Sequence, residues 1–217
     1  ALFSGSNIVL GNLIGVAADG VSLFGNGGYG VALLAGTGNT IGGTTSSAAN
    51  TIAGNALTGV LVAPASNGNK IEGNAIYGNA GLGIELSNSV GGAPDGVTPN
   101  DAGDGDGGAN RSQNFPVLTG AGYIGSTLAV IGTLNSTPSR AFRIEFFAND
   151  QPDPSGFGEG QRYIGFKNTS TDASGNASFT VLAAPPGVAR GQTLTATATD
   201  TVTGDTSEFS AGVIVVS

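Results

Sequence analysis

A short formula recurs through the first half of the chain: Asn, any residue, Ile or Val, any residue, then Gly. Asn50-Thr-Ile-Ala-Gly-Asn-Ala-Leu-Thr-Gly59 aligns with Asn69-Lys-Ile-Glu-Gly-Asn-Ala-Ile-Tyr-Gly78 with six of ten positions identical. Asn7-Ile-Val-Leu-Gly11 and Asn39-Thr-Ile-Gly-Gly43 open the same way. A second formula, Gly then aliphatic-x-aliphatic, gives Gly20-Val-Ser-Leu23, Gly30-Val-Ala-Leu33, Gly59-Val-Leu-Val62 and Gly83-Ile-Glu-Leu86. Each is a strand of roughly three to five residues with alternate side chains inward, ended by a Gly or Asn that tolerates positive φ. Strands so short are unstable alone. Stacked coil on coil, each pairs with its copy in the next turn. Val9, Ile41, Ile52 and Ile71 would then form interior aliphatic stacks, and the turn Asn residues amide ladders. Asn7, Asn39 and Asn69 are separated by 32 and 30 positions, whereas Asn50 and Asn69 are 19 apart. The coils are therefore about 20 residues with insertions, or about 30 with a loop at 44–49.

Asn12-Leu-Ile-Gly-Val-Ala-Ala-Asp-Gly20, Leu23-Phe-Gly-Asn-Gly-Gly-Tyr-Gly-Val31 and Asn39-Thr-Ile-Gly-Gly-Thr-Thr45 resemble the repeat units of bacterial secreted right-handed parallel β-helix repeat proteins. The resemblance spans roughly residues 5–90 and implies a short right-handed parallel β-helix over residues 1–88. It leaves function open, because such helices host lyases, hydrolases, tailspikes, adhesins and inert scaffolds alike.

From Phe115 the repeats stop and longer strands begin, at 115–119, 127–134, 142–148, 162–166, 177–182, 193–199 and 212–216. Seven strands in about a hundred residues fit an immunoglobulin-like β-sandwich over 115–217. The all-β chain thus divides into coils, a Gly/Asp-rich linker at 89–114, and the sandwich. Thr193-Leu-Thr-Ala-Thr-Ala-Thr199 alternates strictly, predicting one polar and one buried face. Phe142, Phe146, Phe147, Phe179 and Phe209 are assigned to the sandwich core. Ile144-Glu-Phe-Phe-Ala-Asn149 and Thr206-Ser-Glu-Phe209 are similar to immunoglobulin-like modules that follow β-helix repeats in bacterial surface proteins.

The absence of His and Cys excludes Ser-His-Asp, Cys-His and His-zinc chemistry within the chain. A glycosidase would need paired carboxylates facing one groove; the repeats offer only Asp19, Glu72 and Glu85, in no common column. The chain is expected to be no enzyme. A formal charge of −8, from 15 acids against 7 bases, opposes nucleic-acid binding, which needs clustered Lys and Arg. No apolar run approaches the roughly 18 residues of a membrane-spanning helix. A chain poor in oxidisable side chains suits an extracellular or cell-surface setting. Its opening, Ala1-Leu2-Phe3, suggests a processed chain or a piece of a longer one.

Three candidate sites follow. Asn100, Asp101, Asp104 and Asp106 lie in a Gly-rich stretch able to wrap calcium, although the spacing is not that of an EF-hand; the plain alternative is a solvated linker. Tyr29 and Tyr77 follow Gly-rich turns and either stack on sugar rings or cap the interior stacks. Asp200, Asp205 and Glu208 are taken as exposed turn acids. The repeats begin within seven residues of the N-terminus, leaving the first coil uncovered. Head-to-tail self-association into a fibre is therefore expected through Leu2, Phe3, Ile8 and Leu10. The function expected is a non-catalytic structural or adhesive surface protein, with carbohydrate binding or cleavage as the alternative.

Overall fold

The computed structural model describes residues 1–217 except 90, 184, 186 and 217, the first of which lies in the expected linker. The fold is all-β, 41% strand and 2% helix. The first half holds nine short strands: β1 (Ile8–Val9), β2 (Leu13–Ile14), β3 (Val31–Leu33), β4 (Thr40–Gly42), β5 (Thr51–Ala53), β6 (Val60–Val62), β7 (Lys70–Glu72), β8 (Ala75–Tyr77) and β9 (Ile84–Leu86). They form three parallel sheets, β1-β4-β7, β2-β5-β8 and β3-β6-β9. The chain visits the sheets in the same order three times, so three coils lie over one another.

The registers give the interior columns. Val9, Ile41 and Ile71 align on the first face. Ile14, Ile52 and Ile76 align on the second. On the third, Val31 lies on Val60 and Ile84, and Leu33 on Val62 and Leu86. Ile52 thus belongs to a different column from Ile41 and Ile71. Asn69, Asn74 and Asn79 show why: the formula recurs every five residues around a coil as well as from coil to coil. Aligning 50–59 with 69–78 therefore matches two different faces. Register partners one coil apart are separated by 24 to 38 positions, so neither length considered holds throughout, and the loop at 44–49 falls between β4 and β5. The last coil is plain, the first carries an insertion between β2 and β3 folded by a Val16–Leu23 bridge, and the second carries one between β4 and β5.

The second half contains β10 (Val117–Ile124), β11 (Thr127–Asn135), β12 (Ala141–Asn149), β13 (Arg162–Ser170), β14 (Asn176–Ala183), β15 (Thr193–Asp200) and β16 (Val213–Val216). Each overlaps a strand expected from sequence. They form one sheet in the order β13-β12-β15-β16-β10-β11-β14. Only the β10–β16 pairing is parallel. The sheet curls until its edges, β13 and β14, approach each other, making a near-barrel. Leu128, Leu134, Phe142, Ile144, Phe146, Phe179 and Leu194 fill it.

Two expectations about this half change. Every residue of β15 is buried, not alternate ones, because its Thr face is covered as well: Thr195 donates to the Glu159 carbonyl at 2.6 Å, and Thr199 bonds Thr206 at 2.9 Å. Phe147 and Phe209 leave the barrel core and join the coil's core. Their rings meet edge to face at 5.2 Å, and Tyr163 packs on Phe147 at 5.8 Å. The second half therefore lies across the end of the last coil.

Candidate functional site

Coil stacking is a matter of hydrogen-bond direction, which makes the two ends chemically different. At each Asn corner, the backbone N–H and the side-chain Nδ2 donate to the Asn Oδ1 of the next coil. The first ladder runs from Asn7 through Asn39 to Asn69, with these bonds between 2.8 and 3.1 Å. The second runs from Asn12 through Asn50 to Asn74, and the third from Asn26 through Asn55 to Asn79. One oxygen accepting a backbone N–H and an amide N–H together fixes which amide atom is oxygen. The ladders are directional.

At the far end the donors of the last coil need acceptors, since an orphaned buried N–H is costly. The second half and the connecting stretch supply them. Asn110 ends the first ladder, its Oδ1 accepting from Asn69 N at 3.0 Å and Nδ2 at 3.1 Å. It does so from a tight turn at Ala109–Ser112 in which Asn110, Arg111 and Ser112 all have positive φ. At the second corner, Glu145 accepts from Gly73 N at 2.7 Å. Glu159 ends the third ladder in the place of an Asn: Oε1 takes Asn79 N at 3.1 Å and Nδ2 at 2.8 Å, while Oε2 accepts from Gly78 N. Gly160 pairs with Ile76 through two 2.8 Å backbone bonds, Thr206 Oγ1 accepts from Ile71 N at 3.0 Å, and Glu208 accepts from Leu86 N and Thr98 N, both at 2.9 Å.

These acids are buried, and burial lifts their pKa values: Glu159 to about 7 and Glu208 to about 8, with Glu145 also raised. Glu85, in the middle of β9, is likewise lifted by burial to about 7; it accepts from Asp95 N and Gly96 N, both at 3.0 Å. Asp200, Asp205 and Glu208 are not exposed turn acids but buried ones. Asp205 pairs with Arg111 and accepts from Gly68 N, and Asp200 faces Arg140 at 3.5 Å. No signal in the sequence separates Glu145, Glu159 and Glu208 from surface acids, because their partners lie 72, 81 and 122 positions away.

The near end is formed by residues 2–33. Among the described residues, Oδ1 of Asn7, Asn12 and Asn26 accepts no hydrogen bond. Leu2 alone continues a face, bridging Leu33 through bonds of 2.7 and 2.9 Å. Phe3, Ile8 and Leu10 are exposed. Leu2 is thus part of the coil, while the other three remain on its surface. The far end, onto which a second copy's first coil would stack in a head-to-tail fibre, is occupied by the second half.

Tyr77 ends β8 in the last coil and borders a cleft of about 490 Å³ between the halves, together with Asp150, Gln151, Asp153 and Gln161. Tyr29 precedes β3 in the first coil and does not line that cleft; the structure does not bring the two rings together. Carboxylate oxygens of Asp101, Asp104 and Asp106 lie within 4.8 Å of one another. Asp104 accepts from Asn114 N at 2.8 Å and Ser136 Oγ at 2.9 Å, and its pKa rises to about 6, chiefly through burial. Oδ1 of Asp101 is buried without a hydrogen-bond partner. The Asn100 amide bonds the Phe115 backbone, at 2.8 and 3.0 Å.

No protein-family model matches the chain, and no curated protein matches it by sequence. Among the described residues, no helix is long and apolar enough to cross a membrane.

Proposed function

We propose that the chain is a non-catalytic structural or adhesive module of the cell exterior, a right-handed parallel β-helix closed at one end by an immunoglobulin-like sandwich. Right-handedness follows the strong preference of parallel crossover connections. The sandwich reading rests on two strand groups, β10-β11-β14 and β13-β12-β15, bridged by β16 around one core. The observation that carries the function is the use made of the buried acids. Glu145, Glu159 and Glu208 each accept a backbone N–H of the last coil, and Arg143 and Thr98 N take the second oxygens of Glu145 and Glu208, the arrangement of a structural terminator and not of an acid poised to meet a substrate. Incubation with a panel of neutral and acidic polysaccharides is expected to release no reducing ends. Release that disappears in a folded Glu159→Gln variant would overturn the proposal.

The Tyr77 cleft favours a second reading, binding of surface glycans, since an aromatic ring beside amide and carboxylate groups suits a sugar's apolar face and hydroxyls. Retention on a glycan array that is lost in Tyr77→Ala is the expected sign; equal retention by the variant would remove this reading. Calcium at Asp101, Asp104 and Asp106 belongs to the same proposal. The unpartnered Asp101 oxygen supports it, and hard carboxylate oxygens match the ion's preference.

A further inference from the structure

We infer that the cleft between the halves selects its glycan by positive charge, taking a sugar that carries a free ammonium group, an amino sugar, in preference to neutral or acidic ones. This deepens the glycan-binding reading given above and rests on it.

The walls of the cleft are set before any ligand arrives. In β8, Ile76 is buried in the coil and Tyr77 falls on the outer side, in register with the small Ala53 of the preceding coil. The Tyr77 ring is therefore half-buried where it lines the cleft. A second wall is the loop from Asp150 to Ser155, in which Pro152 and Pro154 stand on either side of Asp153 and fix φ at both places. Asp153 Oδ1 accepts from Ser155 N at 2.8 Å and Ser155 Oγ at 2.5 Å. Its Oδ2 has no hydrogen-bond partner among the described residues. Asp150 is held by Gln192 Nε2 at 2.6 Å and Gln161 Nε2 at 3.2 Å, neutral amides that orient a carboxylate without cancelling its charge. Asp153 and Pro154 also line a neighbouring cleft of about 480 Å³ that reaches Leu57, Leu82 and Glu85. Each cleft has the size of a small-ligand site, and the shared walls place the two side by side.

Charge decides which sugar fits. Asp150, Asp153 and Glu159 line the first cleft, Asp153 and Glu85 the second, and no Lys or Arg lines either. Arg162, next in sequence to Gln161, is turned to the Gly187 carbonyl at 2.7 Å and Gln192 Oε1 at 3.1 Å. The excess of negative charge is felt within the protein, where burial, and beside it the charge of Asp153, raises Glu159. Uronate, sulfate or sialate groups are repelled from such a site, and an N-acetyl group brings no charge to Asp153. An ammonium meets the unpaired Asp153 oxygen as a charge-assisted acceptor, and the Tyr77 ring in the same cleft adds its attraction for a cation. A basic peptide such as oligolysine shares the charge but has no ring to lay on Tyr77, which separates the two in the test.

Calorimetric titration of the full chain uses three probes: a glucosamine tetramer, an N-acetylglucosamine tetramer and tetralysine. The glucosamine tetramer is expected to bind about tenfold or more tighter than its acetylated counterpart, the equivalent of one charge-assisted hydrogen bond. The advantage should shrink as salt is raised. It should disappear in Asp153→Asn, which keeps an oxygen for Ser155 and should melt like the parent, whereas Tyr77→Ala should weaken both tetramers. Equal binding of the two tetramers, lost in Tyr77→Ala, would overturn the selection by charge and leave the glycan reading standing; binding of neither would remove both. Tetralysine binding as tightly as the glucosamine tetramer, and unchanged in Tyr77→Ala, would make the cleft a site for basic peptides and overturn its assignment to a sugar.

Discussion

The two ends of the coil are built from the same strands and corners yet are finished differently. At the far end the first and third ladders end on Asn110 and Glu159, Glu145 takes Gly73 N beside the second, and every face meets a residue from elsewhere in the chain. At the near end only the third face is continued, by Leu2. The difference follows the direction of the ladders. The far end exposes donors, and a buried N–H without an acceptor is rarer and harder to tolerate than an under-used oxygen. Carboxylates suit that end because one group can serve several donors, as Glu159 does with three. The near end presents mainly acceptors, the Oδ1 atoms of Asn7, Asn12 and Asn26.

The sharpest way to break this contrast is to remove the side chain that joins the coil core to the second half. Phe147→Ala should lower unfolding stability by about 3–5 kcal/mol, the usual range for a buried Phe. Phe3→Ala at the near end should change it by less than about 0.5 kcal/mol. Urea unfolding of both variants decides the matter, and comparable losses would mean the far end is no more sealed than the near one. Next in size is the ladder terminator. Glu159→Leu strands three donors at about 1–3 kcal/mol each before relaxation, so a net loss of about 3 kcal/mol is expected. Asn26→Ala, at the other end of the same ladder, should cost about 1 kcal/mol. A loss for Glu159→Leu no larger than for Asn26→Ala would show that the carboxylate is not the ladder's terminus.

The near end was the legible one. Corner Asn residues, inward aliphatics and all seven strands of the second half follow from period and turn chemistry, which are local. Register was harder: Asn50-Thr-Ile-Ala-Gly54 resembles Asn69-Lys-Ile-Glu-Gly73, but pairs with Asn74-Ala-Ile-Tyr-Gly78. Five-residue spacing around the coil makes the two alignments look alike. The far end was illegible because its chemistry is non-local. Glu159 becomes an Asn substitute only when 80 positions of chain fold back onto Asn79. Phe147 and Phe209 likewise change cores for a reason that no alternation pattern contains.

A smaller effect separates the ends by pH. Glu85, Glu159 and Glu208 have folded pKa values raised by burial to about 7, 7 and 8, above an ordinary value of 4.5. Between about pH 4.5 and 8 the folded chain therefore holds more protons than the unfolded one, and stability falls as pH rises through that window. Thermal melting should be higher at pH 5 than at pH 8. Glu208→Gln should flatten the slope, whereas Asn7→Ala at the near end should shift the curve without changing its shape. A melting temperature that rises over this window would contradict the burial of these acids.

The smallest expected effect concerns the stretch that carries Asn110. If calcium sits among Asp101, Asp104 and Asp106, it stiffens the loop just before the turn that ends the first ladder, through Asp104 and its bonds to Asn114 and Ser136. For a dissociation constant on the order of 0.1 mM, 1 mM calcium would add about 1.4 kcal/mol. Asp106→Asn is the informative control, since Asp106 is exposed and its loss removes a ligand while sparing the Asp104 bonds. The gain should vanish in that variant. It should also fade below about pH 6, where Asp104 takes up its proton and competes with the ion. Calorimetry showing no heat with calcium, or an equal gain with magnesium, would leave the sealed end held by hydrogen bonds and packing alone.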